Sequence, residues 1–348
     1  MLNIGVVGLG GISRRHIGEL LKYDHAVIRA VCDIVPEKLK ETGDQLNIPE
    51  SHRFTDYREL VACPDVDAVE ICTPNHLHVP IALEAVRAGK AIEVEKPLST
   101  SYADGVDTLL TELKKANLPN MMCFSYRFMP AVRYAKHLLE SGKLGQIINV
   151  NVEYLQSGVF IPGRRLDWRF VKEYAGHGTL ADLGAHLIDM TRFLIGDFES
   201  VYGMSNIIIK ERRRLDSEAL APVGVDDLTG FMARLNGGVI ANFLVTKCAI
   251  GESNTIKYEI YGTDGVIKFN LNHADTLTVC FAGENRTEGK SETIPVPEEF
   301  YLDQEFAFVQ AASGQNTPYL PTVEDGAACQ KVIDAVGRSA AENAVIML

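Results

Sequence analysis

The chain has 348 residues, 46% of them hydrophobic and 23% charged, which reads as an ordinary soluble globular protein long enough for two cores. Its 46 acidic side chains against 34 basic ones give a formal charge of -12, which opposes approach to nucleic acid or to an anionic membrane surface. No run nears the roughly 18 consecutive apolar residues of a membrane span, so neither nucleic acid nor membrane is an expected partner.

Seven cysteines (Cys32, Cys63, Cys72, Cys123, Cys248, Cys280 and Cys329) are scattered without a CxxC pair. Most sit in apolar runs, as small core residues of a reducing compartment do. Only Met1-Leu2 precede the first strand. No leader is expected, and the cytoplasm is the expected location.

Asn3 to Val7 reads as a buried strand, followed by Gly8-Leu9-Gly10-Gly11-Ile12-Ser13 and a helical pattern from Ile12 to Leu21. Glycines at such a junction permit a tight turn and a close approach of backbone to pyrophosphate, whose charge meets the free N-H groups of the helix start. Ser13 stands where the third small residue of this fingerprint is usually Gly or Ala. A second strand, Val27 to Cys32, ends in Asp33, about twenty residues on, where a carboxylate accepts the ribose hydroxyls and repels a 2'-phosphate. NAD is therefore expected over NADP, although Arg29 and Lys38 lie near in sequence. A helix N-cap ahead of Pro36 is the competing role for Asp33.

Helices are predicted over Val35 to Leu46 and Tyr57 to Ala62, then a strand from Ala68 to Cys72 that runs into Thr73-Pro74-Asn75-His76-Leu77-His78. Pro74 turns the chain at the carboxyl edge of the sheet, where ligands bind in open α/β folds. Asn75 suits the nicotinamide ribose or a cap on the helix Leu77 to Ala88. A strand from Ala91 to Val94 ends in Glu95-Lys96-Pro97, and a helix from Tyr102 to Ala116 and a strand from Met121 to Phe124 follow. A lysine at the end of a buried strand is partly desolvated, which brings an ammonium toward proton transfer. Lys96 is thus a catalytic candidate; pairing with Glu95 or Glu93 is the structural reading. The alternation of strand and helix predicts a doubly wound parallel sheet over residues 1-124.

Several pieces resemble the glucose-fructose oxidoreductase and inositol dehydrogenase family, the Gfo/Idh/MocA family. They are Gly8-Leu9-Gly10, Cys72-Thr73-Pro74-Asn75 with His78, Ala88-Gly89-Lys90, Glu95-Lys96-Pro97, Arg127-Phe128-Met129-Pro130 and Gly142-Lys143-Leu144-Gly145-Gln146. The resemblance implies that Lys96 serves in proton transfer and that its bond to Pro97 is cis. It implies cofactor contacts at Gly8, Gly10, Gly11, Ile12, Ser13, Asp33, Thr73, Pro74, Asn75, His78, Glu95, Lys96 and Arg127.

Residues 125-348 change rhythm. After a helix from Pro130 to Ser141, strands with one wet face are predicted over Ile147 to Tyr154, Val201 to Ile209, Leu228 to Leu235, Val239 to Val245, Ile256 to Tyr261 and Leu277 to Phe281. Turns such as Asn236-Gly237-Gly238 and Thr263-Asp264-Gly265 imply an open, mainly antiparallel sheet in a C-terminal α+β domain. The resemblance implies dimers or tetramers formed through that sheet, and a terminal helix over about 323-341 packing back toward the first domain.

Within Gly176-His177-Gly178-Thr179-Leu180-Ala181-Asp182-Leu183-Gly184-Ala185-His186-Leu187-Ile188-Asp189, a helix from Thr179 puts Asp182, His186 and Asp189 on one face. A carboxylate one turn from an imidazole orients it and raises its basicity. The stretch is similar to the family's Asp-x-Gly-x-His motif, which implies substrate contact and acid-base work for Asp182 and His186. A buried histidine satisfied by either aspartate competes; a metal site lacks a second histidine or cysteine, and none is expected. His177 faces substrate or lies on the surface.

Phe160 to Arg169 is an irregular loop with the only tryptophan, and Trp168 and Arg169 are expected in a substrate wall, with interdomain packing the other reading of the indole. Lys210 to Arg214 reads as a solvated strand end. These expectations describe an NAD-dependent dehydrogenase acting on a secondary hydroxyl of a sugar, sugar acid or cyclitol, with catalytic Lys96, Asp182 and His186. The alternatives are an NAD-retaining glycosidase working by transient oxidation, and a cofactor-sensing regulator.

Overall fold

The computed structural model describes residues 1-283 and 289-348. The chain divides into two units, Met1–Phe124 with Asp303–Ala328, and Ser125–Leu302 with Cys329–Leu348.

In the first unit β1 (Leu2–Val7), β2 (Ala26–Cys32), β3 (Arg53–Phe54), β4 (Ala68–Ile71), β5 (Ala91–Val94) and β6 (Asn120–Met122) form a parallel sheet in the order β3-β2-β1-β4-β5-β6. Helices α1 (Gly11–Leu20), α2 (Pro36–Gln45), α3 (Tyr57–Ala62), α4 (His78–Arg87) and α5 (Val106–Ala116) connect them. Strands covered on both faces have no wet side, so β1, β4 and β5 carry near-continuous apolar runs. The order reverses between β1 and β4, and the carboxyl ends of those strands flank the crevice in which such sheets bind ligands. Helix α5 starts four residues later than predicted, behind Gly105, whose φ of 92° excludes a helical start at Tyr102.

The second unit begins with α6 (Pro130–Glu140) and holds the short α7 (Lys172–Ala175) and α8 (Ala185–Leu194). Its strands are β7 (Ile147–Leu155), β8 (Phe198–Asn206), β9 (Glu211–Arg213), β10 (Leu220–Pro222), β11 (Leu228–Leu235), β12 (Ile240–Thr246), β13 (Thr255–Gly262), β14 (Gly265–Asn270), β15 (Thr276–Phe281), β16 (Ser291–Pro295) and β17 (Ile346–Met347). All but β9 and β10 join one sheet, ordered β16-β15-β14-β13-β7-β12-β11-β8-β17 and antiparallel except at the β7-β12 pair. Its inner face stacks Phe231 on Phe243 and Tyr258 on Phe269, with ring centroids 4.3 and 5.1 Å apart. Helix α8 lies against β7 on that face.

Strands β9 and β10 pair only with each other. Lys210, Glu211, Arg213 and Arg214 are exposed, as a solvated strand end requires, and Arg212 alone departs from that reading. Arg212 is 6% exposed, donates from Nη2 to the Val159 carbonyl at 2.8 Å, and lies over the Phe170 ring.

The chain then returns to the first unit with α9 (Gln304–Ala312) and the start of α10 (Val323–Glu342). The Met122 N-H donates to the Pro321 carbonyl at 2.9 Å, and Asn120 Oδ1 accepts from Val323 N-H at 2.9 Å. Helix α9 packs on α1. All seven cysteines are free. No helix among the described residues is long and apolar enough to cross a membrane.

Candidate functional site

The glycine loop is built as a cradle. Gly8 sits between the ends of β2 and β4: its N-H donates to the Cys32 carbonyl at 2.8 Å, its φ is 93°, and a Cβ there would lie 2.7 Å from the Cys72 carbonyl oxygen. Only glycine fits. At Gly10 and Gly11 a Cβ would meet nothing within 4 Å, so the backbone at the start of α1 faces open space. Gly10 caps α1 without a side chain, which leaves the first-turn N-H groups for an anion. Ser13 departs from the usual small residue without cost, because its hydroxyl is buried and donates to the Gly10 carbonyl at 2.8 Å. Ile12 is half-buried beside it.

Asp33 is fixed by two backbone donors, Leu9 N-H on Oδ2 at 2.7 Å and Val35 N-H on Oδ1 at 2.9 Å. The residue at the N-cap position of α2 is Val35, so Asp33 is tied to the glycine loop instead of capping the helix. Lys38 Nζ stands 3.5 Å from Asp33 Oδ2. Thr73 contributes a buried hydroxyl with no hydrogen-bond partner, next to half-buried Pro74. Asn75 is buried in a short turn, Asn75–Leu77, and the N-cap position of α4 belongs to Leu77. The open backbone, the anchored carboxylate and the orphaned hydroxyl together fit a dinucleotide.

His78 and Glu95, two of the expected cofactor contacts, have protein partners. His78 is buried, with Nδ1 2.7 Å from the Pro97 carbonyl oxygen and Nε2 2.8 Å from that of Thr73. Burial holds its pKa below the ordinary value despite those carbonyls. It therefore clasps the loops after β4 and β5 together and has no nitrogen to offer. Glu95 is also committed: Oε2 accepts the Lys96 N-H at 2.9 Å and Oε1 lies 3.0 Å from His16 Nε2. The Lys96-Pro97 bond is cis, and Lys96 itself is half-buried.

His16, on α1, is the centre of a buried cluster that the sequence reading missed. Its Nδ1 lies 2.8 Å from Glu70 and 3.0 Å from Glu305, on β4 and α9. Glu93 on β5 adds a fourth carboxylate, taking Gln304 Nε2 at 3.1 Å. Burial opposes charge on the His16 ring, but Cys72, Glu70 and the bonds to Glu305 and Glu70 outweigh it and raise its pKa. Burial raises Glu93, with the charges of Glu305 and Glu70 adding to it. The residue ahead of Lys96 is thus bolted through His16 to the helix that carries the cradle.

In the second unit Leu180–Gly184 is a π-helical turn leading into α8. Such wide turns recur at functional sites because they re-aim side chains away from the 3.6-residue pattern. Asp189 holds Arg127 in a fork, Nε to Oδ2 at 2.8 Å and Nη2 to Oδ1 at 2.6 Å. Both are buried, and the fork ties Arg127 to α8. Asp182 takes a partner that sequence spacing does not reveal, Lys247 Nζ at 2.5 Å from Oδ2.

His186 is buried against Tyr126, edge to face at 4.5 Å, and Tyr154 at 6.4 Å. The two phenol oxygens are 2.7 Å apart, and Asn254 and Gln156 extend the network: Tyr154 donates to Asn254 Oδ1 at 2.8 Å and Gln156 Nε2 to the same oxygen at 2.7 Å. Burial pushes the Tyr154 phenol far up, with the charges of Tyr126 and Asp182 adding to it. An imidazole, a carboxylate, an ammonium and a row of hydroxyl and amide groups suit a polyhydroxylated ligand.

The remaining expectations fare differently. Trp168 is half-buried against Phe170, Ala175, Val223 and Val225, and Arg169 lies over its ring at 4.4 Å. The indole packs on this small cluster of the second unit. His177 packs on the backbone of Gly337, where a Cβ would come 2.2 Å from its ring, and burial lowers its pKa.

Residues 2-122 match the oxidoreductase family with the NAD-binding Rossmann fold, and residues 132-268 match the GFO/IDH/MocA C-terminal domain. The levoglucosan dehydrogenase of Pseudarthrobacter phenanthrenivorans is 35% identical over 301 residues, 81% of this chain and 77% of that one. The myo-inositol 2-dehydrogenase of Thermotoga maritima is 27% identical over 330 residues, 93% and 92% of the two chains. The solved levoglucosan dehydrogenase complex with NADH and levoglucosan superposes with a TM-score of 0.89 at 31% identity, over 100% of this chain and 99% of that one. An open dinucleotide cradle on a Rossmann sheet, followed by this second sheet and its Asp182-His186 turn, makes the chain a member of the GFO/IDH/MocA family of NAD-binding oxidoreductases.

Proposed function

We propose that this oxidoreductase oxidises a secondary hydroxyl of a sugar, sugar acid or cyclitol with NAD as hydride acceptor, and that Lys96, Asp182 and His186 are its catalytic residues. The observation that carries the reading is the patch around His186, where an imidazole and a carboxylate share a wall with Tyr126, Tyr154, Asn254 and Gln156. The names of the relatives, a levoglucosan and a myo-inositol dehydrogenase, support a ring-shaped polyol.

NAD, when bound, supplies the acceptor for the hydride; the chain supplies binding and the proton path. Gly10, Gly11 and the first N-H groups of α1 receive the pyrophosphate, Asp33 the ribose hydroxyls, and Thr73, Pro74 and Asn75 the nicotinamide half. His186 and Lys96 accept the hydroxyl proton in relay, with Asp182 beside the substrate.

A panel of anhydrosugars, cyclitols, aldoses and sugar acids, followed at the nicotinamide absorbance with NAD and with NADP, tests this. Oxidation of a polyol with NAD as the better cofactor is expected; equal use of both removes the ribose role of Asp33. His186→Ala and Lys96→Ala should each lower turnover by about two to four orders of magnitude with NADH still bound. Full turnover in either variant returns that residue to the scaffold.

A further inference from the structure

Lys247 has no task in the reading above, yet its placement is tightly specified. It follows β12, where its N-H donates to the Asp227 carbonyl at 3.0 Å and its own carbonyl accepts from Val159 N-H at 3.1 Å. Asp227 is in turn fixed by the N-H groups of Ile208 and Ile209 at 2.9 and 3.0 Å. From this anchored backbone the stem carries Nζ to Asp182; the lysine side chain is 12% exposed and that of Asp182 36%.

We propose that Lys247 is a positioning residue for the Asp182-His186 pair: its ammonium holds the Asp182 carboxylate charged and aimed at the reacting hydroxyl. The inference rests on the dehydrogenase reading and deepens it. Asp182 stands on the π-turn with its N-H donating to the Gly178 carbonyl at 2.9 Å, and the segment after β12 supplies the donor that sets the direction of its carboxylate. The carboxylate shares its surroundings with the Tyr154 phenol, whose pKa responds to its charge. A cation at hydrogen-bond distance offsets that negative charge, and an ionised carboxylate keeps further lone pairs for an imidazole or a substrate hydroxyl.

The test uses the full-length enzyme with NAD and the best polyol of the panel, comparing Lys247→Met, Lys247→Gln and Lys247→Arg. Lys247→Met should lower kcat by about ten- to a hundredfold and move the acid limb of the kcat/KM profile upward by about one pH unit, with NADH affinity unchanged. Lys247→Gln, which keeps a donor without charge, should share that shift, and Lys247→Arg should recover most of the loss and the original profile. In an Asp182→Asn background, Lys247→Met should change turnover by less than about twofold, because a residue that acts through Asp182 has nothing left to act on. If Lys247→Met unfolds on mild heating, Lys247→Gln carries the same comparison.

An unmoved pH profile, equal losses in the Met and Arg variants, or a full additive loss on Asp182→Asn overturns the proposal while the dehydrogenase reading stands. Undiminished turnover of Asp182→Asn itself overturns the proposal and removes Asp182 from the catalytic residues.

Discussion

Gly178 and Gly10 are both glycines before a helix, and they fail in opposite ways when a methyl group is added. A Cβ at Gly178 would lie 2.0 Å from the Asp226 carbonyl oxygen. The Asp226 carboxylate meanwhile collects Gly178 N-H and Leu180 N-H at 2.8 Å each and the Thr229 hydroxyl at 2.9 Å. Asp226 therefore sets where the π-turn begins, and with it where Asp182 stands. Gly178→Ala should cost about 1-3 kcal/mol of stability by overpacking and lower kcat more than NADH affinity. At Gly10 the space is empty and the backbone, at φ -86°, is open to any residue. Gly10→Ala should stay within about 0.5 kcal/mol of the parent in thermal unfolding while NADH binds about tenfold more weakly, since the methyl group stands where the pyrophosphate approaches. Titration of NADH fluorescence alongside melting curves separates the two; unchanged affinity in Gly10→Ala would remove the cradle.

Strands β4 and β5 are central to the first sheet, yet each carries an acidic residue in register with the other, Glu70 opposite Glu93. The parallel sheet, the glycine loop and Asp33 were legible because each rests on a local pattern: apolar runs, a turn that needs glycine, a strand end. Glu70 was passed over inside such a run and Glu93 was read only as a partner for Lys96, because their partners His16 and Gln304 lie on α1 and α9, far away in sequence. The π-turn escaped for a related reason: a 3.6-residue template has no place for it, and the Arg127 that Asp189 holds lies 62 residues away in sequence. Lys247 and Asp226 reach the turn from β12 and the start of β11, and no spacing rule connects them to it. The buried acids also make stability depend on pH. Glu93 and Glu305 are raised above the ordinary carboxylate value by burial, so the folded chain keeps protons that the unfolded chain gives up. Stability from these groups is present in mild acid and declines as pH rises toward their folded values, and His16, also raised, adds a decline in the same direction. Buried neutral His78 and His177 act oppositely, losing stability as pH falls below the usual histidine range. Glu93→Gln keeps an oxygen for Gln304 and cannot ionise. Its melting temperature should fall less steeply than the parent's as pH rises above the ordinary carboxylate range, where each proton of difference is worth about 1.4 kcal/mol per pH unit. Parallel slopes would show that Glu93 is ionised in the fold.

One face of the large sheet of the second unit carries exposed apolar side chains. Leu244, Gly230 and Met204 stand in one row across β12, β11 and β8, and Met232 lies one pleat further along β11 on the same side. Met204 and Met232 are 67% and 54% exposed. Toward β13 and β14 the face turns polar, with Lys268 paired to Glu259 at 2.9 Å and Lys257 to Glu153 at 3.6 Å. An apolar stripe with a charged rim is the layout of a protein interface, and a two-fold arrangement sets the same stripe on itself. Each copy carries a formal charge of -12, so pairing has to be driven by apolar burial against mutual repulsion. Two consequences follow for a homodimer formed here. Added salt should strengthen association, by screening the repulsion and leaving the apolar contact intact. Met232→Asp and Leu244→Asp should each yield monomers with little change in unfolding of the protomer, because both side chains already face water in a single chain. Light scattering on a sizing column, at low and at moderate salt, decides the matter. A parent protein that is monomeric at micromolar concentration, or a dimer untouched by Met232→Asp, would leave the stripe without a partner and move any assembly to another surface.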